Sequence, residues 1–506
     1  MPNKSFFTLE VFLATLALAL GSFMNVLDST IVNTAISHIA GDFGVPYSSG
    51  TWVITSYSVS EAILLPLTGW LTLRFGMLRQ YLIATVLFTL ASILCGLSTN
   101  FEMLLASRVL QGIVGASMIP LSQSLLMSIY PPEKRGMAIG IWAMTVVIAP
   151  IAGPILGGWI TDVSSWRWAF YINFPIGLFS SYFVYRIFKK RGWEDVIKKQ
   201  PVDYFGLCTL AISIGCLQLM LDTGADHDWF ASAQIQILAL VSFVFMVVFV
   251  IWELHQKHPV VDLKFFLNRN FLVGVTVLSV GSTAFFATVV ILPIWLQNYM
   301  GYTAFDSGLT TSTSSIFVVF LAPLLGSFIH KVDARKVVAF GFMMFFIVSV
   351  FAAKMTPEVT SGYIALTRLM TGIGLACFFI PMNNILLADI SNDDIPSASG
   401  LSSFMRNVGN SIGTSLVVAY WDHAQAGHHE QMISAVSSSN NSFTQYINLS
   451  GGESVVNLAS INQIINSQSA LMGINDIMLG SGIMMLLLIP VVFVAHKTNK
   501  KVEMSH

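Results

Sequence analysis

Charged side chains are scarce in this sequence. Only 10% of its 506 residues are Asp, Glu, Lys or Arg, whereas 55% are hydrophobic. An average soluble domain has about 25% charged residues and about 45–50% apolar ones. The deficit excludes an ordinary soluble domain and predicts a polytopic membrane protein of the all-α class.

Cysteine is also rare, with four residues in the whole chain. Cys95, Cys208, Cys216 and Cys377 all lie inside apolar segments, and none forms a CxxC pair. The spacing therefore predicts neither a disulfide framework nor a metal site. We interpret these residues as small buried hydrophobic side chains.

The sequence lacks the patterns that mark an enzyme or a nucleic-acid-binding protein. It has no nucleophile–base pair, no metal-ligand cluster, no loop that would cradle phosphate, and no basic patch interleaved with aromatic residues. Three histidines in a late polar loop are candidates for a metal site, but we interpret that loop as solvated: His423, His428 and His429. We expect no enzyme activity, no metal, no cofactor and no nucleic acid.

Long apolar runs are what the sequence has in abundance. About 20 mostly apolar residues, at ~1.5 Å each, cross a bilayer. The first run has no small-residue cleavage site and is predicted to be a retained span. Fourteen such runs can be counted, at about 11–36, 50–73, 80–98, 102–127, 137–160, 168–188, 204–222, 232–253, 271–297, 307–329, 337–354, 360–388, 398–421 and 473–496.

Lys and Arg are distributed unevenly between the two sides that these runs define. An even number of spans places both termini on one side. With that side inside the cell, inner loops and tails hold 20 of the 25 Lys and Arg residues, outer loops hold 2, and 3 lie within helices. This bias predicts that both termini are cytoplasmic.

Two cytoplasmic stretches, Lys189 to Asp203 and Glu253 to Asn270, divide the runs into six, two and six. The predicted domains are a six-helix bundle at 1–190, two linker helices with their flanking segments at 191–270, and a second six-helix bundle at 271–506. The second bundle includes a long periplasmic loop at about 422–472, rich in Ser, Asn and Gln.

The two sets of six resemble each other. The fourth run of the first set contains Arg108 and Gly112, and the fourth run of the second set contains Arg368 and Gly372, each with a proline further on. Internal repeats of this kind are typical of transporters.

The first run contains an acid near its middle, in the stretch from Leu27 to Asn33. A charge at that depth costs roughly 2.5–3.5 kcal/mol on insertion scales, so Asp28 is a functional-site candidate. Glu61 and Arg108 fall in the same layer, because the three lie ~12, ~16 and ~9 Å from the outer ends of their helices. An Arg at that depth holds an acid charged, whereas burial without one favours the protonated form. The alternative interpretation is a structural ion pair.

The fifth run combines small residues with a proline. Small residues let helices approach closely and a proline bends the helix, which suits a hinge between the halves, although plain packing is an equal alternative. The residues are Gly140, Gly153, Pro154, Gly157 and Gly158.

Several further side chains are candidates for a central cavity. Trp52, Tyr57, Trp142 and Phe404 could line it, although aromatic residues at this depth more often simply pack. Arg406, in the inner half of the thirteenth run, could pair with a carbonyl, a lipid phosphate or the substrate path.

Together these stretches resemble the major facilitator superfamily, and within it the fourteen-helix drug:proton antiporter group of the EmrB/QacA type. The resemblance covers nearly the whole chain. The matching residues are Leu27 to Asn33 in helix 1, Arg108, Gln111, Gly112 and Gly115 in helix 4, the glycines and proline of helix 5, the stretch Trp166 to Gly177, and the stretch Leu217 to Phe230.

The sequence departs from the group at three places. Leu73 stands where the superfamily usually has Asp, which puts the usual charge latch of the inward gate in doubt. Ala149 replaces a Gly of the antiporter motif, and Glu61 is a carboxylate where Asn or a small residue is expected. The remaining residues of the cytoplasmic gate motif are present: Gly69, Arg74, Gly76 and Arg79.

The resemblance implies proton-driven export of lipophilic toxic compounds from a bacterial inner membrane by alternating access. Asp28 would carry the coupling proton, Arg108 would tune it, and Glu61 would be a second proton carrier or a substrate contact. Members of this type work with a periplasmic adaptor of the EmrA type and an outer-membrane channel of the TolC type. The alternative is a narrow exporter or importer of one metabolite, such as a siderophore or a sugar, on the same fold.

Overall fold

A computed structural model describes residues 8–131, 134–195, 197, 201, 203–257, 259–391, 393–434 and 455–497. Every regular element in these ranges is helical. The long helices, numbered here in chain order, are α1 Leu9–Phe43, α2 Trp52–Leu64 continued by Leu65–Leu67 and Thr68–Phe75, α3 Met77–Gly96, α4 Phe101–Gly115 with Met118–Ile129, α5 Arg135–Val163, α6 Asn173–Lys190, α7 Tyr204–Thr223, α8 Ala233–His255, α9 Arg269–Tyr299, α10 Ala304–Ser312 with Ser314–Phe328, α11 Ala334–Ala352, α12 Ser361–Leu387, α13 Ile395–Ser434 and α14 Val455–Val494.

Ten of the helices in the described ranges are long and apolar enough to cross a membrane. The two parts of α5, Arg135–Pro150 and Ala152–Thr161, form an eleventh span with a bend of 42°. Pro154 cannot donate a hydrogen bond to the carbonyl one turn earlier, which explains a bend at this place. Helices α2, α6 and α13 lie at the predicted positions but are shorter or more polar, so the count of fourteen stays a prediction with which the helix order agrees.

The two halves of the chain pack by the same plan. In the first half α1 packs on α5 and α6, and α3 packs on α4 and α6, while α2 packs on α4. In the second half α9 packs on α13 and α14, and α11 packs on α12 and α14, while α10 packs on α12. Each pair therefore recurs eight helices later, as a repeat of two six-helix bundles requires.

The halves meet along two seams, α5 against α10 and α2 against α13. At the first seam a Cβ added to Gly140 would lie 2.6 Å from the carbonyl oxygen of Ala322 on α10, so only glycine allows this approach. Helix α7 packs against both α2 and α13, whereas the most apolar part of α8 is only 17% buried and faces outward.

The expected periplasmic loop at about 422–472 is largely helical where it is described. Helix α13 continues to Ser434 and α14 begins at Val455. Each has 40 residues and is thus about 60 Å long, twice the ~30 Å of a bilayer core. Trp421 Nε1 donates to the carbonyl oxygen of Ala470 at 2.9 Å, and His429 lies 3.1 Å from the side-chain oxygen of Asn462. The polar residues at 422–434 and 455–472 therefore belong to helices, while the part of the predicted loop at 435–454 lies outside the described residues.

Candidate functional site

Asp28 lies at the centre of the first bundle and is completely buried. Arg108 of α4 donates from Nη1 to its Oδ2 at 2.6 Å. Gln111 Nε2 and Asn173 Nδ2 both donate to its Oδ1, at 2.9 and 2.6 Å. Three donors from α4 and α6 thus surround the carboxylate of α1, and hydrogen bonds of this kind stabilise negative charge on the oxygens.

Arg108 is equally buried and ties three helices together. Its Nε donates to the carbonyl oxygen of Val53 on α2 at 3.0 Å, and its Nη1 also donates to Gln111 Oε1 at 2.8 Å. The guanidinium carbon lies 4.3 Å from the centre of the Tyr57 ring. The predicted charge pair of α1 and α4 therefore exists, and α2 forms its third side.

Tyr57 links this ion pair to Glu61. Its hydroxyl donates to Glu61 Oε1 at 3.2 Å and accepts from Asn25 Nδ2 at 3.0 Å. Asp28, Arg108 and Glu61 therefore lie in one connected layer, as the helix depths predicted. Among the described residues Glu61 forms no salt bridge with a Lys or Arg, which distinguishes it from Asp28.

A cavity of about 210 Å³ separates the two halves at this level. Glu61 belongs to its wall, whereas Asp28 does not, because Asp28 points into the first bundle. The first half contributes the polar side chains of Asn25, Ser29, Thr30 and Glu61 together with aliphatic ones from α1, α2, α4 and α5. The second half contributes an aromatic surface from α9 and α12 and a polar one from α13: Phe285, Phe286, Phe378 and Phe379, with Ser403, Arg406, Asn407 and Asn410.

Of the five residues predicted for the cavity, only Arg406 belongs to this wall. Tyr57 and Trp142 are 1% exposed and pack inside the protein, and Phe404 is 7% exposed. Trp52 is 42% exposed at the start of α2. The prediction for these four is corrected accordingly: they are packing or surface side chains in this structure, as the alternative interpretation held.

Sequence reasoning missed other residues of the site. Ser29 and Thr30 follow Asp28, and Asn407 follows Arg406, so nearness to a charged residue was a usable signal. Gln111 and Asn173 both lie in stretches that match the family, but their contact with Asp28 depends on how α4 and α6 pack. The phenylalanines of α9 and α12 carried no signal, because apolar runs contain aromatic residues on every face.

The small residues of α5 have two different neighbours. Gly140 faces α10 of the other half, whereas Gly153 lies beside Thr30 and Gly157 beside Thr34 of α1. A Cβ on Gly157 would lie 2.7 Å from the carbonyl oxygen of Ile31. Gly158 accepts a hydrogen bond from Thr161 at 3.0 Å within the helix. Helix α5 therefore contacts both α1 and the second bundle through positions without side chains.

The gate motif between α2 and α3 receives its acid from another segment. Asp195, which follows α6, accepts from the backbone N–H of Leu78 at 2.9 Å and of Arg79 at 3.2 Å, at the first turn of α3. Gly76 adopts φ +87°, and a Cβ there would collide with Asp195. Arg74 stacks on Trp70, 5.4 Å from its ring centre. An acid therefore does lie at this motif, although Leu73 replaces the usual one. Gly69 packs on Ser397 of α13.

The second bundle holds a matching arginine that has no acid as a partner among the described residues. Arg368 of α12 is 6% exposed and donates from Nη2 to the carbonyl oxygen of Thr288 at 2.6 Å and from Nη1 to its hydroxyl at 3.1 Å. Arg368 and Thr288 are 80 residues apart, and so are Arg108 and Asp28. Thr288 therefore occupies in the second bundle the position that Asp28 has in the first.

The fold, the repeat and the charge pair agree with the comparison to known families. Residues 18–414 match the Major Facilitator Superfamily, and the chain belongs to it. It is accordingly a membrane transporter and not an enzyme. Within the superfamily it is EmrB-like: it is 44% identical to the multidrug export protein EmrB of Haemophilus influenzae over 92% of each chain.

Other relatives agree with this placement. The chain is 41% identical to EmrB of Escherichia coli strain K12, over 95% of this chain and 94% of that one. It is 40% identical to the fatty acid resistance protein FarB of Neisseria gonorrhoeae over 95% of each. The human organic anion transporter MFSD10 shares the fold, with a TM-score of 0.58 and 13% identity over 95% of this chain and 100% of that chain.

Proposed function

We propose that this EmrB-like multidrug transporter exchanges protons for lipophilic toxic compounds across a bacterial inner membrane. The observation that carries the proposal is the buried Asp28–Arg108 pair, which Tyr57 and Glu61 connect to the cavity between the two halves. Asp28 does not line the cavity, but Tyr57 and Glu61 connect it to the cavity wall. Binding of a compound in the cavity can therefore change the surroundings of Asp28 without direct contact.

The proposed cycle uses the neutralisation of Asp28. A proton that reaches Asp28 removes the negative charge that holds Arg108, so the contacts among α1, α2 and α4 weaken together. The proton enters from the periplasm and leaves in the cytoplasm, and the compound moves the other way through the cavity. The Lys and Arg bias supports the orientation with both termini in the cytoplasm.

The test compares Asp28→Asn with wild type in proteoliposomes. The substrate is the compound to which the wild-type protein confers most resistance, and an imposed pH gradient drives its uptake. We expect the variant to bind the compound but not to accumulate it, because Asn cannot release a proton. Asp42→Asn, the same substitution at the exposed end of α1 and outside the cavity wall, is the matched control and should accumulate normally. Uphill accumulation by Asp28→Asn with normal proton counterflow would refute the assignment.

We also propose that the extended ends of α13 and α14 bind a periplasmic adaptor of the EmrA type, which joins the transporter to a TolC-type outer-membrane channel. The lengths of these helices support this, as do apolar side chains on them that are 46%, 45% and 51% exposed, namely Ile433, Leu458 and Ile464. Ile464→Asp should reduce co-purification of a co-expressed adaptor, whereas Leu366→Asp, at the exposed start of α12, should serve only as a surface control. Unchanged co-purification in Ile464→Asp together with Ile433→Asp would contradict this site.

A further inference from the structure

Arg406 differs from the other arginines inside the bundles. It is only 8% exposed, yet it forms no hydrogen bond or salt bridge within the ranges that the structure describes. Its contacts are ring faces, with the guanidinium carbon 5.3 Å from the centre of Phe379 and 6.0 Å from that of Trp142. Arg108 and Arg368, by contrast, direct their nitrogens at oxygen atoms of neighbouring helices.

A buried guanidinium with idle donors indicates a missing acceptor. Arg always carries its charge, and it presents five N–H donors in a fixed fork. Leaving such a group desolvated and unpaired is costly, so intramembrane arginines normally face a partner or a substrate path. Arg406 belongs to the wall of the central cavity, which makes the contents of the cavity the available source of an acceptor.

The wall around Arg406 has the complementary chemistry, and Glu61, the one acid among the described lining residues, lies on the other half of the cavity. Asn407 and Asn410, on the same helix, add amide groups beside Arg406. Phe285, Phe286 and Phe378 of α9 and α12 supply an aromatic surface on the same cavity. A ligand that satisfies both would have one compact acidic group and an apolar, preferably flat, body.

We propose that Arg406 binds the acidic group of the transported compound, and that the compounds this cavity prefers are amphipathic organic anions such as aromatic carboxylates and sulfonates. This inference rests on the proposed function in one respect, namely that the cavity is the path of the substrate. It does not depend on which residue carries the proton. A carboxylate matches the guanidinium fork with two parallel hydrogen bonds, and the phenylalanines take the body of the molecule.

The test measures equilibrium binding to the full-length protein in nanodiscs, without a proton gradient. Three labelled probes share one ring system and carry an anionic, a neutral and a cationic group, respectively: 2-naphthoate, 2-naphthamide and 2-naphthylmethylammonium. The variants are Arg406→Gln, which removes the charge, and Arg406→Lys, which keeps the charge but loses the fork. Ser399→Ala, on the same helix but outside the cavity wall, is the uncharged control. Thermal unfolding of each variant confirms that it is folded.

We expect wild type to prefer naphthoate to naphthamide, and Arg406→Gln to lose about tenfold to a hundredfold in naphthoate affinity, as for loss of a charged hydrogen bond. Naphthamide affinity should stay the same, Arg406→Lys should recover part of the loss, and Ser399→Ala should bind like wild type. Equal naphthoate binding by wild type and Arg406→Gln, or tighter binding of the ammonium probe than of naphthoate by wild type, would overturn the proposal. The binding assay needs no proton gradient, so its result does not depend on whether the Asp28→Asn test supports proton coupling. Likewise, the Asp28→Asn result does not depend on whether Arg406 binds the acidic group.

Discussion

The two bundles bury an arginine at the same place in the repeat but surround it with different groups. In the first bundle Arg108 faces a carboxylate, which also accepts from Gln111 and Asn173. In the second bundle, as far as the structure describes it, Arg368 donates only to the hydroxyl and carbonyl oxygens of Thr288. The helix packing is thus repeated, whereas an acid beside the arginine is found, within the described residues, in the first bundle and not in the second.

This difference explains why a symmetric architecture can respond asymmetrically. Gln111 in α4 corresponds to Thr371 in α12, and Thr371 bonds the carbonyl oxygen of Thr367 in its own helix. Gln123 of α4 and Asn383 of α12 are likewise equivalent positions of the repeat. Their side chains face each other across the boundary between the two halves, with Gln123 Nε2 3.5 Å from Asn383 Oδ1. The acid paired with arginine therefore lies in the first bundle, whereas the equivalent polar groups of the second bundle bond to backbone and hydroxyl oxygens.

Exchanging Arg108 for Gln should have the largest effect, because it leaves the fully buried Asp28 without its cation. We expect stability to fall by about 3–5 kcal/mol, the usual cost of breaking a buried pair. Arg368→Gln is the matched variant and should cost no more than about 1–1.5 kcal/mol, since it strands no charge. Unfolding midpoints in nanodiscs measure both. An equal loss of stability in the two variants would mean that Asp28 does not account for the difference between the two arginine sites.

Asp28→Thr gives the first bundle the chemistry of the second. We expect a folded protein, because Arg108 keeps Val53 and Gln111 as acceptors, but one without proton coupling. Allosteric coupling between two ligands typically amounts to about 5- to 150-fold in affinity. Substrate affinity in this variant should therefore be the same at two pH values at which the affinity of wild type differs. If its pH dependence equalled that of wild type, the titrating centre would lie elsewhere.

Thr288→Asp gives the second bundle the chemistry of the first. The new carboxylate would lie beside Arg368, whose Nη1 is already 3.1 Å from the Thr288 hydroxyl. A hydrogen bond to a charged group is worth about 1.5–3 kcal/mol, so after desolvation of the acid we expect a net gain of about 1 kcal/mol in stability. Thr288→Asn, of the same size, should show no gain. Identical unfolding midpoints for Asp and Asn would argue against a charge effect.

Gln111→Thr should have the smallest effect, since it removes one of the three donors to Asp28 and copies Thr371. We expect a loss of about 1 kcal/mol and transport within a few-fold of wild type. The reverse substitution, Thr371→Gln, should leave stability and transport unchanged, because the new amide would have no carboxylate to donate to at that position. A loss in Thr371→Gln as large as that in Gln111→Thr would show that steric fit dominates at both positions.

The sequence predicted much of the fold and the charged part of the site. Apolar runs located the helices because a bilayer sets their length, and helix depth placed Asp28, Glu61 and Arg108 in one layer. Asn173 was not assigned to Asp28, because its reach depends on the packing of α6 against α1. The extension of α13 to Ser434 was taken for loop, since Ser, Asn and Gln disguise a helix once it leaves the membrane. The aromatic cavity wall required the three-dimensional arrangement of α9 and α12.

Helix α13 is continuous over 40 residues and touches every level of the molecule. Ser397 packs on Gly69 at the gate motif, Arg406 borders the cavity, Ser411 accepts from Gln218 of α7 at 3.0 Å, and Trp421 donates to α14. An unbroken rod of this kind behaves as a lever. In the proposed transport cycle, movement of its Ser397 end away from α2 would carry its Trp421 end the opposite way about a pivot between them, so the gate motif and the contact with α14 would move together.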